Sequence, residues 1–176
     1  MVINNYNKLN IYFSKSKTPL QYIKCKSQAD KYRLAEFVYE NTDNFVMNTF
    51  ALLWENRKFW EKFRPLIMWD KSTGKIIGLH AFAEKKIDNK KYLKTYYIVI
   101  HKKYRGKGIA KQLTMQVLSD FQENYKWFYV NSVKGSDGEY FYRKTITNKP
   151  SKKVNEFGTT DLIFTGSISR ILKKNA

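Results

Sequence analysis

The chain is poor in cysteine, in proline and glycine, and in long apolar runs. Cys25 is its only cysteine, which excludes an internal disulfide and favours a reducing compartment. Three prolines and eight glycines leave no Pro-rich or Gly/Ser-rich linker, so we predict a single domain over residues 1–176. No apolar run approaches the roughly 20 residues of a membrane helix, and Met1 to Thr18 lacks the apolar core of a signal peptide. These absences predict a cytoplasmic protein without a membrane segment.

Acidic residues are also scarce. The chain has 33 Lys and Arg against 15 Asp and Glu, a net charge of +18. An excess of this size favours an anionic partner, such as nucleic acid, a ribosome or an acidic protein surface. Apolar residues at 43% and aromatic residues at 16% are enough for a folded core. The composition therefore predicts a basic, globular protein.

The spacing of apolar residues predicts strands and helices in alternation. Strands are expected at Tyr22–Lys26, Leu66–Trp69, Ile76–Glu84, Leu93–His101, Trp127–Val133 and Thr160–Phe164, with one more at Ile168–Leu172. Helices are expected after the N-cap Ser27, over Val46–Phe63, Gly106–Asn124 and Glu139–Thr145, and polar loops at Lys85–Lys91 and Asn148–Lys153. Three consecutive strands in the middle indicate a mixed sheet, α/β or α+β, flanked by helices. Residues 1–20 form an N-terminal extension without an assigned role.

One segment, residues 104–111, carries the pattern of an anion site. A strand is followed by a loop with Gly106 and Gly108 and then by a helix. The first amides of a helix lack intrahelical acceptors, and glycines remove the Cβ atoms that would keep an anion from them. With Arg105 and two lysines nearby, the pattern predicts a pyrophosphate site. A Walker A loop is absent, and a dinucleotide fingerprint would need glycine where Lys111 stands. On these residues alone, a solvated Gly-rich turn stays the alternative.

The segment Ile98–Leu113 resembles motif A of the GNAT acetyltransferase superfamily, whose core is [QR]-x-x-G-x-[GA]. Arg105, Gly108 and Ala110 occupy the defining positions. The resemblance implies a GNAT-like fold with a mostly antiparallel sheet, no metal, and acetyl-CoA as co-substrate of an N-acyltransferase that acts on an amine. It also implies that the loop amides hold the CoA pyrophosphate and that the preceding strand pairs with the pantetheine arm. The CoA-binding residues so implied are Ile98, Ile100, Arg105, Gly106, Lys107, Gly108, Ile109, Ala110 and Lys111.

The resemblance further implies an acid that protonates the leaving thiolate. Phe141–Thr145 is similar to the first half of the family pattern fY-x-x-x-G-F, which makes Tyr142 the candidate and Tyr140 its rival. The sequence departs from this family pattern at two places. The asparagine usual about seven residues earlier is Gly135 here, and Ile146–Thr147 replaces the Gly-Phe that follows.

The general base is open. Members that acetylate protein lysines often carry a glutamate in the strand before motif A, and the corresponding position is near Lys94, so that glutamate is absent. The titratable alternatives are His80, Glu84, His101, Asp137 and Glu139. A water chain, or no dedicated base, is an equal alternative.

The acceptor groove implied by the resemblance combines basic and aromatic residues. They are Arg57, Lys58, Lys85, Lys86, Lys90 and Lys91 with Trp54, Trp60 and Tyr92. Such a groove is typical of binding to an anionic polymer or its bases, and a solvated lysine-rich surface is the alternative. Three functions stay open. They are acetylation of a small-molecule or protein amine, modification of a nucleic acid or ribosomal component as by the GNAT-like phage Mom-type DNA modifier, and a non-catalytic module that binds CoA or nucleic acid.

Overall fold

A computed structural model of the chain describes residues 10–13, 20–24, 27–43, 64–70, 72–146 and 148–176. The strands of this part are β1 (Asn10–Phe13), β2 (Leu20–Lys24), β3 (Arg64–Asp70), β4 (Lys75–Ile87), β5 (Lys90–Ile100), β6 (Trp127–Val133), β7 (Ser151–Val154) and β8 (Thr160–Ser167). The helices are α1 (Gln28–Asn41), α2 (Ile109–Phe121), α3 (Asp137–Thr145) and α4 (Ile168–Asn175), with a 3₁₀ turn at Lys102–Tyr104.

The strands form a mixed sheet in the order β1-β2-β3-β4-β5-β6-β8-β7. β5 and β6 run parallel, whereas β1 with β2, β2 with β3, β6 with β8 and β7 with β8 are antiparallel. The prediction of a mixed, mostly antiparallel sheet with flanking helices is thereby confirmed.

The chain divides into two compact units, of which the first comprises residues 1–81 and 97–113. Its helix α1 begins with a capping box. The Asp30 amide donates to Ser27 Oγ and the Ser27 amide donates to Asp30 Oδ2, each at 3.1 Å. Ser27 is thus the predicted N-cap. The helix buries Leu34, Phe37 and Val38, whereas Ala29 is exposed.

The second unit comprises residues 82–96 and 114–176. Alternate residues of β6 and β8, among them Phe128 and Phe164, are fully buried. Helices α3 and α4 pack on this buried face, since the Tyr142 ring lies 5.8 Å from that of Phe164 and a Cβ built at Gly166 would lie 3.2 Å from Ile171. The opposite face of these strands is more open.

The predicted polar loop at 85–91 is wrong. β4 continues to Ile87, a two-residue turn follows at Asp88 and Asn89, and β5 begins at Lys90. Both turn residues have positive φ, 46° and 61°. Two-residue hairpin turns require positive φ, and Asp and Asn tolerate it better than other residues with a Cβ. The lysines of this region therefore lie on strand ends.

Two predictions for the C-terminal region are also wrong. The expected strand at Ile168–Leu172 is helix α4, because Ile168 and Ile171 are three residues apart and both are buried on one side. Part of the expected basic loop at 148–153 is the exposed strand β7, which pairs with β8.

The N-terminal extension contributes strand β1, which pairs with β2 although no strand was predicted there. The predicted helix at Val46–Phe63, with Trp54, Arg57, Lys58 and Trp60, and also Cys25 lie outside the described residues. Among the helices that the structure describes, none is both long enough and apolar enough to cross a membrane.

Candidate functional site

The predicted anion loop leads from the end of β5 to the start of α2, within the first unit. Gly106 and Gly108 have φ values of +76° and +77°, which any residue with a Cβ adopts only at a cost. An ideal Cβ at either glycine would have no heavy atom within 4 Å, so space is open beside both. The Gly108 carbonyl accepts from the Gln112 amide at 3.0 Å, as an N-cap carbonyl does. The first amides of α2 therefore follow directly on the two glycines.

The side chain of Arg105 holds this loop in place. Its guanidinium donates to the backbone carbonyl of Asn41, and its Nε donates to the carbonyl of Ile100 at 3.3 Å. Asn41 Oδ1 in turn accepts from the Lys102 amide at 3.1 Å. Arg105 thus ties the loop to the end of β5 and to the C-terminus of α1.

Two residues that sequence reasoning missed position the loop. Asn41 is 2% exposed and holds both Lys102 and Arg105, but a lone asparagine at a helix end, 61 residues before its partner, gives no signal in the sequence. Gly78 lies on β4 beneath the first turns of α2. A Cβ there would be 2.9 Å from side-chain methyl groups of both Ile109 and Leu113, so any larger residue would force these buried side chains of the helix to shift.

A hydrogen-bonded pair lies before the loop. The Tyr104 hydroxyl donates to Asp70 Oδ2 at 2.6 Å, and this bond raises the pKa of Tyr104. Bonds from the Ser72 hydroxyl first, and then from Tyr104, hold the pKa of Asp70 well below its usual range. The Lys107 ammonium lies 5.1 Å from the centre of the Tyr104 ring. The pair therefore keeps Tyr104 oriented under a loop lysine.

The remaining predicted donor-site residues differ in exposure. Lys107 and Lys111 are exposed, Ala110 is half-buried, and Ile109 is only 7% exposed, so its side chain belongs to the core. Ile98 and Ile100 are half-buried on one side of β5, three and five residues beyond Thr95. The parallel register with β6 spans Tyr92 to Thr95, and β5 continues beyond it to Ile100.

The candidate acid Tyr142 lies on α3, in the second unit. It is 5% exposed and packs against the rings of Phe141 and Phe164 at 5.0 and 5.8 Å. Burial raises the pKa of Tyr142 far above that of an exposed tyrosine, so its hydroxyl is protonated at neutral pH. The rival Tyr140 is 66% exposed, with Lys144 over its ring at 4.1 Å.

Most of the candidate bases have structural partners. His80 is fully buried, and burial lowers its pKa to about 4. Glu139 accepts from the Gly135 amide and from Arg143, each at 2.7 Å. Glu84 accepts from Tyr125 at 3.2 Å and lies 3.7 Å from the Lys91 ammonium. His101 Nδ1 accepts from the Lys103 amide at 3.2 Å, and Asp137 is exposed in the first turn of α3.

Comparison with known proteins identifies one family. The family model for the acetyltransferase (GNAT) domain matches residues 54–145, just over half of the chain. A sequence search of curated proteins finds no match.

The fold is similar to that of several solved acetyltransferase structures. An aminoglycoside 6'-acetyltransferase type Ii superposes with a TM-score of 0.64 at 12% identity, over 85% of this chain and 96% of that one. A spermidine N-acetyltransferase chimera from Vibrio cholerae and hSSAT gives 0.60 at 16% identity, over 83% and 96%. The PaiA N-acetyltransferase from Thermoplasma acidophilum, solved in complex with coenzyme A, gives 0.55 at 16% identity, over 82% and 97%. At these identities the likeness shows the fold.

Proposed function

The chain belongs to the GNAT family of acetyltransferases, and on that basis we propose that it transfers an acetyl group from acetyl-CoA to the nitrogen of an amine. One observation carries the proposal. Two glycines with positive φ and open space beside them lead into the N-terminus of α2. This is the local geometry that a pyrophosphate needs to reach backbone amides.

In the proposed CoA site, backbone amides and side chains have different roles. We assign the pyrophosphate to the amides of Gly106 to Lys111, with the exposed Lys107 and Lys111 adding positive charge. Arg105 contributes chiefly by fixing the loop, since its side chain already donates to two carbonyls. Ile98 and Ile100 are assigned to the pantetheine arm, because β5 extends past its register with β6 at these positions.

The proposed role of Tyr142 is to donate a hydrogen bond, not to transfer its proton completely. When the amine attacks the thioester carbonyl, the C–S bond breaks and a thiolate leaves. A thiol such as that of cysteine titrates near pH 8.5, whereas burial holds the pKa of Tyr142 above that of a free phenol. Complete proton transfer from the phenol to the thiolate is therefore uphill. We assign to Tyr142 the donation of a hydrogen bond to the sulfur as negative charge develops there.

Deprotonation of the amine is assigned to water. Of the five candidate bases, His80 is buried, Glu84, Glu139 and His101 accept hydrogen bonds within the protein, and Asp137 is exposed in the first turn of α3. Placement of the two reactants together then supplies much of the rate acceleration. With an aliphatic acceptor amine, turnover is expected to rise with pH as the free amine loses its proton.

Calorimetric titration with acetyl-CoA, followed by a thiol-release assay, tests the proposal. The acceptors for the assay are spermidine, an aminoglycoside, a peptide with a free N-terminus and an oligonucleotide with amino-bearing bases. Saturable binding together with thiol release in the presence of one of these amines is the expected result. Absence of binding at millimolar acetyl-CoA would overturn the proposal, and binding without release for any acceptor would support a non-catalytic CoA-binding module instead.

A further inference from the structure

The second unit exposes a sheet face that combines lysines with aromatic rings. On β5, Leu93 and Thr95 are buried, whereas Lys94 and Tyr96 point to the other face and are half-buried. On β6, Phe128 lies on the face that α3 and α4 cover, and Trp127 lies on the opposite one. The face opposite the helices therefore has a polar and aromatic character unlike that of the core.

Two lysine side chains on this face share one tyrosine ring. The Lys85 ammonium lies 4.4 Å from the centre of the Tyr129 ring, and the Lys94 ammonium lies 5.9 Å from the same centre. Lys94 also lies 4.2 Å from the centre of the Tyr96 ring. The strand register sets this arrangement, because Lys94 pairs directly with Tyr129 across β5 and β6. Contacts of this kind favour cations and hold them in place.

The cluster carries more positive than negative charge. Burial, and then repulsion by Lys85, lowers the pKa of Lys94 to about 8. Burial, and then repulsion by Lys153, also lowers the pKa of Lys85. The acid that acts on Lys94 is Asp161, whose Oδ1 accepts from Asn155 Nδ2 at 3.0 Å. Three lysines against one carboxylate leave an excess that an anionic ligand would offset.

Aromatic side chains flank these cations. Tyr92 packs edge-to-face on Tyr129 with ring centres 6.0 Å apart, and Tyr92, Tyr96 and Trp127 are all half-buried. Half-buried rings beside ammonium groups are the pairing that single-stranded nucleic acids use, with bases on the rings and phosphates on the cations.

We propose that this surface, the Lys–Tyr face, binds single-stranded nucleic acid. It is defined by Lys85, Lys94 and Lys153, which contact phosphates, and by Tyr92, Tyr96 and Trp127, which contact bases. A polymer fits better than a mononucleotide because the exposed Lys90, at an alternate position of β5, continues the same face beyond Tyr92. The whole second unit has 15 Lys and Arg against 8 Asp and Glu, a net charge of +7.

This inference goes beyond acetyl transfer and does not depend on it. Binding is measured without CoA, and the residues concerned lie outside the predicted CoA loop. A failure to bind acetyl-CoA would not contradict nucleic-acid binding by the Lys–Tyr face. A failure to bind nucleic acid would not contradict CoA binding by the loop at residues 104–111.

Fluorescence anisotropy with a labelled single-stranded oligonucleotide, recorded at several salt concentrations, tests the proposal. The test variant combines Lys85→Gln and Lys94→Gln. If two phosphate contacts are lost, the slope of log K against log salt becomes shallower by about 1.4, and Kd at 0.15 M salt rises roughly tenfold. Tyr92→Leu, which keeps the charge, is expected to weaken binding about fivefold or more while leaving the slope unchanged.

The matched control combines Lys144→Gln and Lys173→Gln. It removes the same charge from exposed positions of the same unit, and Lys144 also lies over a tyrosine ring. This control should keep most of the affinity. The proposal is overturned by absence of binding at low salt, by equal losses in the test and control variants, or by a duplex or an acidic peptide that binds as tightly as the single strand.

Discussion

Two glycines with the same backbone strain allow the structural role of the proposed CoA loop, residues 104–111, to be tested separately from its proposed role in binding. Gly108 in the loop and Gly158 in the turn before β8 have φ values of +77° and +74°. At both positions an added Cβ meets no heavy atom within 4 Å. Alanine at either site therefore incurs the left-handed backbone penalty without a steric clash, about 1–2 kcal/mol. For a chain of this length, each kcal/mol lowers Tm by about 2–4 °C.

The two variants should differ once acetyl-CoA is added. Ligand at 100 times Kd raises the free energy of unfolding by about 2.7 kcal/mol. A methyl group at position 108 would occupy the open space beside the first amides of α2, where the pyrophosphate is assigned. If Kd rises tenfold, the same concentration stabilises Gly108→Ala by only about 1.4 kcal/mol, whereas Gly158→Ala keeps the full 2.7 kcal/mol.

Differential scanning fluorimetry with and without acetyl-CoA measures both effects, and calorimetric titration gives Kd directly. We expect similar Tm values for the two variants without ligand and a ligand-induced shift about half as large for Gly108→Ala. Equal shifts in the two variants would refute the assignment of the pyrophosphate to this loop. A much larger loss of Tm in Gly108→Ala alone would refute the claim that the two glycines carry the same strain.

Three further predictions follow from buried or half-buried side chains. Tyr142→Phe should keep acetyl-CoA binding and lower kcat at least about tenfold in a thiol-release assay. The control Tyr140→Phe, at an exposed position, should keep the wild-type rate. Equal rates for Tyr142→Phe and the wild type would discard the assignment of Tyr142. The pKa of Lys94 is about 8 in the folded state and near 10.5 in the unfolded state, because burial disfavours the charged form. The charged ammonium therefore destabilises the folded state in full below pH 8, and this penalty disappears as pH rises from 8 to 10.5. Lys94→Met should therefore exceed the wild type in urea-denaturation stability by up to about 3 kcal/mol at pH 7, and a gain that does not shrink at pH 10 would contradict this cause. His80 is neutral when folded, with a pKa of about 4, so wild-type stability should fall as pH drops from about 6.5 to 4; His80→Gln should flatten that limb, and an unchanged pH profile would contradict it.

The parts of the site that were predicted from sequence are those fixed by local chemistry. The loop at 104–111 was found because a strand, two glycines and a helical period follow one another within one short segment. Helix α3 was found for a similar reason, and the structure adds Ser136 as its N-cap, with the side chain accepting from the Glu139 amide at 3.3 Å. Short-range rules of capping and periodicity suffice for such elements.

The parts that were missed depend on contacts between distant segments. Asn41 holds the loop from 61 residues away, and Gly78 matters only because Ile109 packs directly on it. The hairpin turn at Asp88–Asn89 was hidden for another reason. Lysines on both sides made a polar loop the simpler interpretation, although the two turn residues tolerate positive φ. Tertiary packing decides such positions, and one sequence does not display it.

The replacement of a carboxylate by Lys94 bears on the choice of acceptor. The resemblance places a glutamate near this position, and a carboxylate there would attract a cationic amine. Here the Lys94 and Lys85 ammoniums repel each other over the Tyr129 ring, and they would also repel a polyamine such as spermidine. The exocyclic amino group of a nucleobase would avoid this repulsion, because it is uncharged at neutral pH and the phosphates of its strand offset the lysines. If the Lys–Tyr face also orients the acceptor, an oligonucleotide should outcompete spermidine in the thiol-release assay, and a preference for spermidine would refute this link.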